Sequence, residues 1–405
     1  MNPWRGLRGL PKEVWVLFTA TLINRTGTMV LMFLVLYLTK SVGLSPEQAG
    51  LTLIFYGVGA LITAPLSGRL SDKLGSLLIM KASLLVSGAI LFLFPLAQSF
   101  VAILAVTTLW AISNEAFRPA NMASLSSLVA PEQRKAAFAL SRLAINLGMS
   151  IGPAIGGFLI MASPRALFYV DGATSIIAGL VLVFTTLRAK VEQAPYERTS
   201  THVPEPPKER LRLLADRGLL YFLLAMTMVE IVFFQSDGAM PLFMVRDLKL
   251  SESAFGLMFT INTVLIIFIE VPLNTAMAHW PHKHTLSLGA LLFAAGFGAL
   301  ALASGVVSVA ATVVVWTFGE MILFPSGSAY VAEIAPAAQV GEYMGVYVMT
   351  FNAALILGPW LGILVLEHFG AVTLWLATLA CGLLSAAMLW RVNSASGGET
   401  RAAKV

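Results

Sequence analysis

Cysteine is nearly absent from this 405-residue chain: Cys381 stands alone, so no internal disulfide and no multi-cysteine metal site can form. Charge is scarce as well. Asp, Glu, Lys and Arg make up 12% of the residues, about half the share of an ordinary soluble domain. A soluble enzyme and a disordered protein are thereby excluded. The sequence has no G-x-x-x-x-G-K-[ST] phosphate loop, which removes ATP hydrolysis as an energy source. No Ser/His/Asp or Cys/His arrangement stands out, so we expect neither catalysis nor a cofactor. His279, His282 and His284 lie close together, but no acid or cysteine adjoins them in sequence, and no metal site is expected.

Apolar residues are abundant instead, at 58%, or about 235 positions. Twelve membrane-crossing helices of about 20 residues would use about 240. Apolar runs broken by Gly, Pro or charge predict spans near 14–38, 46–67, 76–96, 100–122, 136–161, 166–187, 219–243, 252–276, 284–304, 306–328, 342–365 and 371–391. The first run follows Arg5, Arg8 and Lys12. Its length of about 25 residues exceeds the apolar core of a cleaved secretory signal, so it reads as a span. The longest polar stretch runs from Arg188 to Gly218, with seven Lys/Arg and the run Pro204-Glu205-Pro206-Pro207.

The expected architecture is an all-α membrane protein of two six-helix bundles, 1–187 and 219–391, joined by a linker over 188–218 and ending in a tail over 392–405. Of the 26 Lys/Arg, 19 fall in loops on the N-terminal side, four on the opposite side (Lys40, Arg165, Arg246, Lys249) and three inside spans. That asymmetry places both termini and the linker in the cytoplasm of a cell (inner or plasma) membrane protein. It also accounts for the net charge of +5 without a nucleic-acid partner.

The halves repeat at an offset of about 206. Ser45-Pro46-Glu47-Gln48-Ala49-Gly50-Leu51 is echoed by Ser251-Glu252-Ser253-Ala254-Phe255-Gly256-Leu257. Glu115 aligns with Glu320, Ala130-Pro131 with Ala335-Pro336, Asn146 with Asn352, and Gly152-Pro153 with Gly358-Pro359. A parallel repeat of this kind implies a pseudo-twofold axis along the membrane normal and a substrate path between the halves.

Two motifs stand out. After the second span the chain reads Gly68-Arg69-Leu70-Ser71-Asp72-Lys73-Leu74-Gly75, and the fifth contains Gly148-Met149-Ser150-Ile151-Gly152-Pro153-Ala154-Ile155-Gly156-Gly157. Asp72 at a helix end can hold a neighbouring helix start through its dipole and release it when the halves move. Glycines in the fifth span permit close helix approach, and Pro153 invites a bend. Both motifs resemble signatures of the major facilitator superfamily, and the chain looks most like its twelve-helix drug:proton antiporter branch. That resemblance implies a gating role for Gly68, Asp72, Lys73, Gly75 and Arg118. It also implies an antiporter motif at Gly148, Gly152, Pro153, Gly156 and Gly157, which in that family accompanies export. The match departs from the family at Ser76-Leu77, where basic residues usually follow, and at Leu109-Trp110, where the branch often carries an Arg.

Nine ionisable residues fall inside spans: Arg25, Arg118, Arg142, Glu115, Asp171, Glu230, Asp237, Glu270 and Glu320. Each costs roughly 2.5–3.5 kcal/mol at mid-helix unless paired or hydrated. Six acids against three bases leave carboxyls that can take up a proton and a cationic substrate in turn. Glu320, with no base in its own helix, is the first candidate carrier. Glu230 comes next, at the place in the second half that Asn24 and Arg25 occupy in the first; an Arg on one half facing an acid on the other would form an interdomain latch. Glu115 is expected to pair with Arg118 three residues on. Asp171 and Asp237, near span ends, are expected to meet water. Asn146 and Asn352 suit a cavity lining or helix contacts, and Tyr37, Tyr56, Phe234, Phe351 and Met344 an apolar one.

Together these readings predict a monomeric secondary transporter that meets a small-molecule substrate, protons and membrane lipids. It would export amphipathic or lipophilic compounds, cations among them, by proton antiport and alternating access. The alternatives are a specific exporter of an endogenous metabolite, siderophore or lipid, and a proton-coupled importer.

Overall fold

The computed structural model describes residues 9–129, 133–185, 216–277, 279–335 and 340–392. The expected linker over 188–218 and tail over 392–405 lie almost wholly outside those residues, as does Pro131. Among the described residues every regular element is helical. Ten segments are long and apolar enough to cross a membrane, and the last of them, Tyr343–Trp390, contains two spans joined at Gly370, whose φ of 82° breaks the helix. With Pro46–Leu74, the total is the twelve expected spans.

The chain divides into two compact units, Met1–Thr201 with Met244–Val264, and His202–Phe243 with Leu265–Val405. In the first unit, α1 (Lys12–Gly27) stops and α2 (Val30–Leu36) resumes the same span. Then come α3 (Pro46–Leu74), α4 (Ser76–Leu93), α5 (Phe100–Glu115), α6 (Phe117–Leu128), α7 (Arg134–Ala162) and α8 (Ala166–Phe184). The second half of the chain begins with α9 (Arg217–Phe233) and α10 (Ala239–Leu242). It continues with α11 (Glu252–Ala276), α12 (His282–Gly298), α13 (Val306–Ile334) and α14 (Val340–Trp390).

The repeat extends to local backbone detail. α2 widens into a π-helical turn over Tyr37–Val42, and α10 into one over Phe243–Asp247. Each turn closes with the same bond: Leu44 N–H donates to the Leu38 carbonyl, and Leu250 N–H to the Met244 carbonyl, both at 2.9 Å. Gly43 ends the first turn at φ 82°, and its counterpart 206 residues on, Lys249, has φ 55°. Ser45 then accepts from Gln48 N–H to start α3, as Ser251 accepts from Ala254 N–H to start α11. Serine at these positions supplies the acceptor that the first helical N–H groups lack. Short 3-10 turns close α4 at Phe94–Leu96 and α12 at Ala299–Leu302.

Each half also packs its interrupted first helix onto a glycine-lined helix. In the first unit, a Cβ at Gly152 would lie 2.9 Å from the Thr26 carbonyl oxygen, and one at Gly156 would lie 2.9 Å from Met29 Cβ. In the second, a Cβ at Gly358 would lie 3.1 Å from the Ile231 carbonyl oxygen, and one at Gly362 would collide with the Gln235 amide. Without a large hydrophobic effect between helices in lipid, such close van der Waals packing is a main source of association.

Candidate functional site

The first unit gathers polar groups around the break between α1 and α2. The break leaves the N–H groups of Met29 and Val30 without helical partners. Asp171 of α8, 4% exposed, accepts both through Oδ2 at 3.2 Å each. Asp171 is therefore not a water-exposed span end as the sequence suggested. It is a buried cap, required because lipid offers no donors or acceptors to an interrupted backbone. Beside it Asn24 donates to Ser175 Oγ at 3.1 Å. Arg25 lies close enough to act electrostatically on both Asp171 and Tyr56. Its Nε is buried without a hydrogen-bond partner among the described residues.

Glu115 is the last residue of α5, and Ala116 interrupts the helix before α6. The pairing expected with Arg118 does not form. Tyr56 Oη, buried on α3, donates to Glu115 Oε1 at 2.7 Å, and Asn114 Nδ2 donates to the same oxygen at 3.2 Å. Arg118 is exposed beyond the break. The interruption changes the direction of side chains three residues apart, so the i,i+3 geometry of a continuous helix no longer applies.

The antiporter-motif residues of α7 serve two neighbours inside this unit. Gly148 and Gly152 admit the backbone of residues 25–28, with Gly148 directly against Arg25, and Gly156 admits the side chains of Met29 and Phe33. Gly157 admits the start of α11, where a Cβ would lie 2.6 Å from the Glu252 carbonyl oxygen, and Gly256 abuts the Pro153 carbonyl. Thr260 Oγ1 donates to the Ser150 carbonyl at 2.7 Å, and Lys40 Nζ meets Glu252 Oε1 at 2.6 Å. In the loop motif, Gly75 takes φ 87° between α3 and α4, and Lys73 is exposed. The surroundings of Gly68 and the side chain of Asp72 lie outside the described residues.

In the second unit the carboxyl of Glu230, on α9, is 1% exposed, and its Oε2 has no hydrogen-bond partner among the described residues. Thr350 of α14 reaches the carboxyl, and Tyr347 lies near enough to interact electrostatically. Aromatic rings adjoin this position along the same helices. Phe233 is 5.5 Å from Phe324 and 6.2 Å from Phe351 between centroids, and Phe234 is 4.8 Å from Phe351. Gln235 ties the end of α9 to α14 by donating to the Ile231 and Gly358 carbonyls, both at 2.8 Å.

Of the other predicted residues, Glu320 is half-buried on α13 and has contacts of its own. Asn146 on α7 and Asn352 on α14 are half-buried, and Asp237 follows the 3-10 turn Phe234–Ser236. Tyr347, Thr350 and Gln235 were missed by the sequence reading. One signal for Gln235 was available: it is an amide at the end of an apolar run, one turn before α10.

A family model described as Major Facilitator Superfamily matches residues 17–237 and 232–404. The chain belongs to that superfamily and is an integral membrane transporter. It is 25% identical over 376 residues to the uncharacterized MFS-type transporter YqjV of Bacillus subtilis (strain 168), covering 92% of this chain and 90% of that one. It is 23% identical over 367 residues to a Na(+), Li(+), K(+)/H(+) antiporter of Planococcus maritimus, covering 83% and 85%. Over 174 residues it is 30% identical to the quinolone resistance protein NorA of Staphylococcus aureus (strain MRSA252), covering 42% and 44%. Among solved structures it is similar to a peptide transporter POT in complex with sulfate, with a TM-score of 0.78 at 18% identity, covering 97% and 98%.

Proposed function

We propose that this transporter is a proton-coupled antiporter that exports amphipathic and lipophilic compounds, cations among them, by alternating access. The observation that carries the reading is Glu230, a buried carboxyl with one oxygen unpartnered among the described residues and aromatic rings along the same helices. Such a group can hold a proton or a cationic ligand, and exchange between the two couples their movements. The rings offer apolar and cation–π surface to a lipophilic cation. Relatives named as a cation/proton antiporter and as a quinolone resistance protein support antiport and export.

A second reading is exchange of an inorganic monovalent cation for protons, favoured by the antiporter relative that matches over 85% of its own length. One experiment separates them. Purified protein in proteoliposomes with an imposed pH gradient is expected to move ethidium against its gradient. Glu230→Gln should slow that movement at least about tenfold, the loss of roughly 1.4 kcal/mol of coupling. Ethidium transport by Glu230→Gln at the wild-type rate would remove Glu230 as the carrier, and its loss in Glu320→Gln alone would transfer the role to Glu320. Proton flux driven by Na⁺ or K⁺, with none driven by ethidium, would establish the second reading.

A further inference from the structure

Within the second unit, an open groove of about 660 Å³ lies where α12 begins and α14 ends. His279, Trp280, His284, Leu291 and Trp390 line it. Its volume falls within the roughly 300–1,000 Å³ typical of small-molecule sites. Trp280 and Trp390 are 50% and 54% exposed. The groove stands at the depth where spans stop, because His282 is the first residue of one apolar span and Trp390 the last of another. Exposed indoles are favoured at that depth, where the ring contacts hydrocarbon and the N–H reaches headgroups.

The charge around this groove has one sign. Lys283 Nζ stands 5.8 Å from the Trp390 ring centroid, and Arg391 follows Trp390 and is exposed. No Asp or Glu occurs between Val271 and Gly319 or between His368 and Gly398. The nearby acid, Glu333 on α13, is engaged at 2.8 Å with His282. An apolar trough rimmed by two fixed cations and no unengaged acid suits a ligand with a hydrocarbon body and an anionic head.

We propose that this groove binds an anionic phospholipid. The acyl or glycerol portion lies along Leu291 and the indoles, and the phosphodiester meets Lys283 and Arg391. A basic pocket between helix ends at a membrane surface is a recognised physical basis for such selection, worth about 1 kcal/mol per cation. The site is independent of the transport reading above.

The test uses the full chain in nanodiscs, with tryptophan quenching by brominated phosphatidylglycerol or brominated phosphatidylcholine at equal mole fraction. The difference in emission between wild type and Trp390→Phe isolates this ring among the eight tryptophans. Brominated phosphatidylglycerol should quench it at least about twofold more than brominated phosphatidylcholine. In Lys283→Gln/Arg391→Gln the two lipids should quench equally. In wild type the preference should also collapse at 1 M salt, where screening leaves about 3 Å of electrostatic range. That arm needs no variant beyond Trp390→Phe. Equal quenching in wild type, or a preference that survives either high salt or the double substitution, would overturn the proposal. Loss of the preference on adding millimolar inorganic phosphate would also overturn it, since the site would then take a free anion rather than a lipid.

Discussion

Removal of the Asp171 carboxylate tests the argument about the broken first helix most directly. Oδ2 accepts the N–H groups of Met29 and Val30 at 3.2 Å each, in a setting that is 4% exposed. Asp171→Ala strands both donors. Each buried unsatisfied donor costs about 1–3 kcal/mol, so the pair should cost about 2–6 kcal/mol. At 1.4 kcal/mol per factor of ten, that is roughly 30-fold to more than 10⁴-fold in the folded-to-unfolded ratio. Asp171→Asn is the informative companion. Because both bonds end on one oxygen, a carboxamide can keep both, and the loss is confined to charge assistance and the interaction with Arg25. We expect about 1–2 kcal/mol, since charge-assisted bonds are about twice as strong as neutral ones. Unfolding in mixed detergent and dodecyl sulfate micelles, followed by tryptophan emission, measures both. The reasoning fails if Asp171→Ala stays within about 0.5 kcal/mol of wild type, or if Asn costs as much as Ala.

Two further outcomes follow from packing and backbone geometry. Gly148→Ala would place a Cβ 2.7 Å from the Arg25 carbonyl carbon, and overpacking of this kind costs about 1–3 kcal/mol. Gly345→Ala, with nothing within 4 Å of its Cβ, should instead be neutral or stabilising by up to about 1 kcal/mol, so comparing the two melting temperatures checks the claim. Lys249→Gly should stabilise the chain by up to about 1 kcal/mol, because Lys249 holds φ 55° where its repeat partner is Gly43. A lower melting temperature for Lys249→Gly would show that its side chain contributes more than its backbone costs.

Much of the candidate site was legible only as a roster of types. Asn24, Arg25, Glu115 and Glu230 were identified because a polar residue in a long apolar run is costly and so marks a purpose. Their partners were not legible. Glu115 binds Tyr56, 59 residues away, and Asp171 caps a helix start 141 residues away. Neither pairing has a periodicity to betray it. Sequence spacing speaks for neighbours on one continuous helix, and both sites sit at breaks where that continuity ends. The loss of the Glu115–Arg118 pairing has the same origin.

The scarcity of charge and the long apolar runs did determine, without any structure, that the chain crosses a membrane about twelve times, and the matched residues about 206 positions apart that it does so in two repeated halves. Span length follows from bilayer thickness and the repeat from matched residue types, and the structure carries the same 206-residue interval into the π-helical turns at Tyr37 and Phe243. Only the tertiary structure decided which polar groups are satisfied and which are left over. Asp171 takes two backbone donors on Oδ2, while the Oε2 of Glu230, chemically almost the same group, is buried without a hydrogen-bond partner among the described residues. The difference lies in what each neighbouring helix presents to the carboxyl, and that is set by packing across long sequence separations rather than by the residue itself.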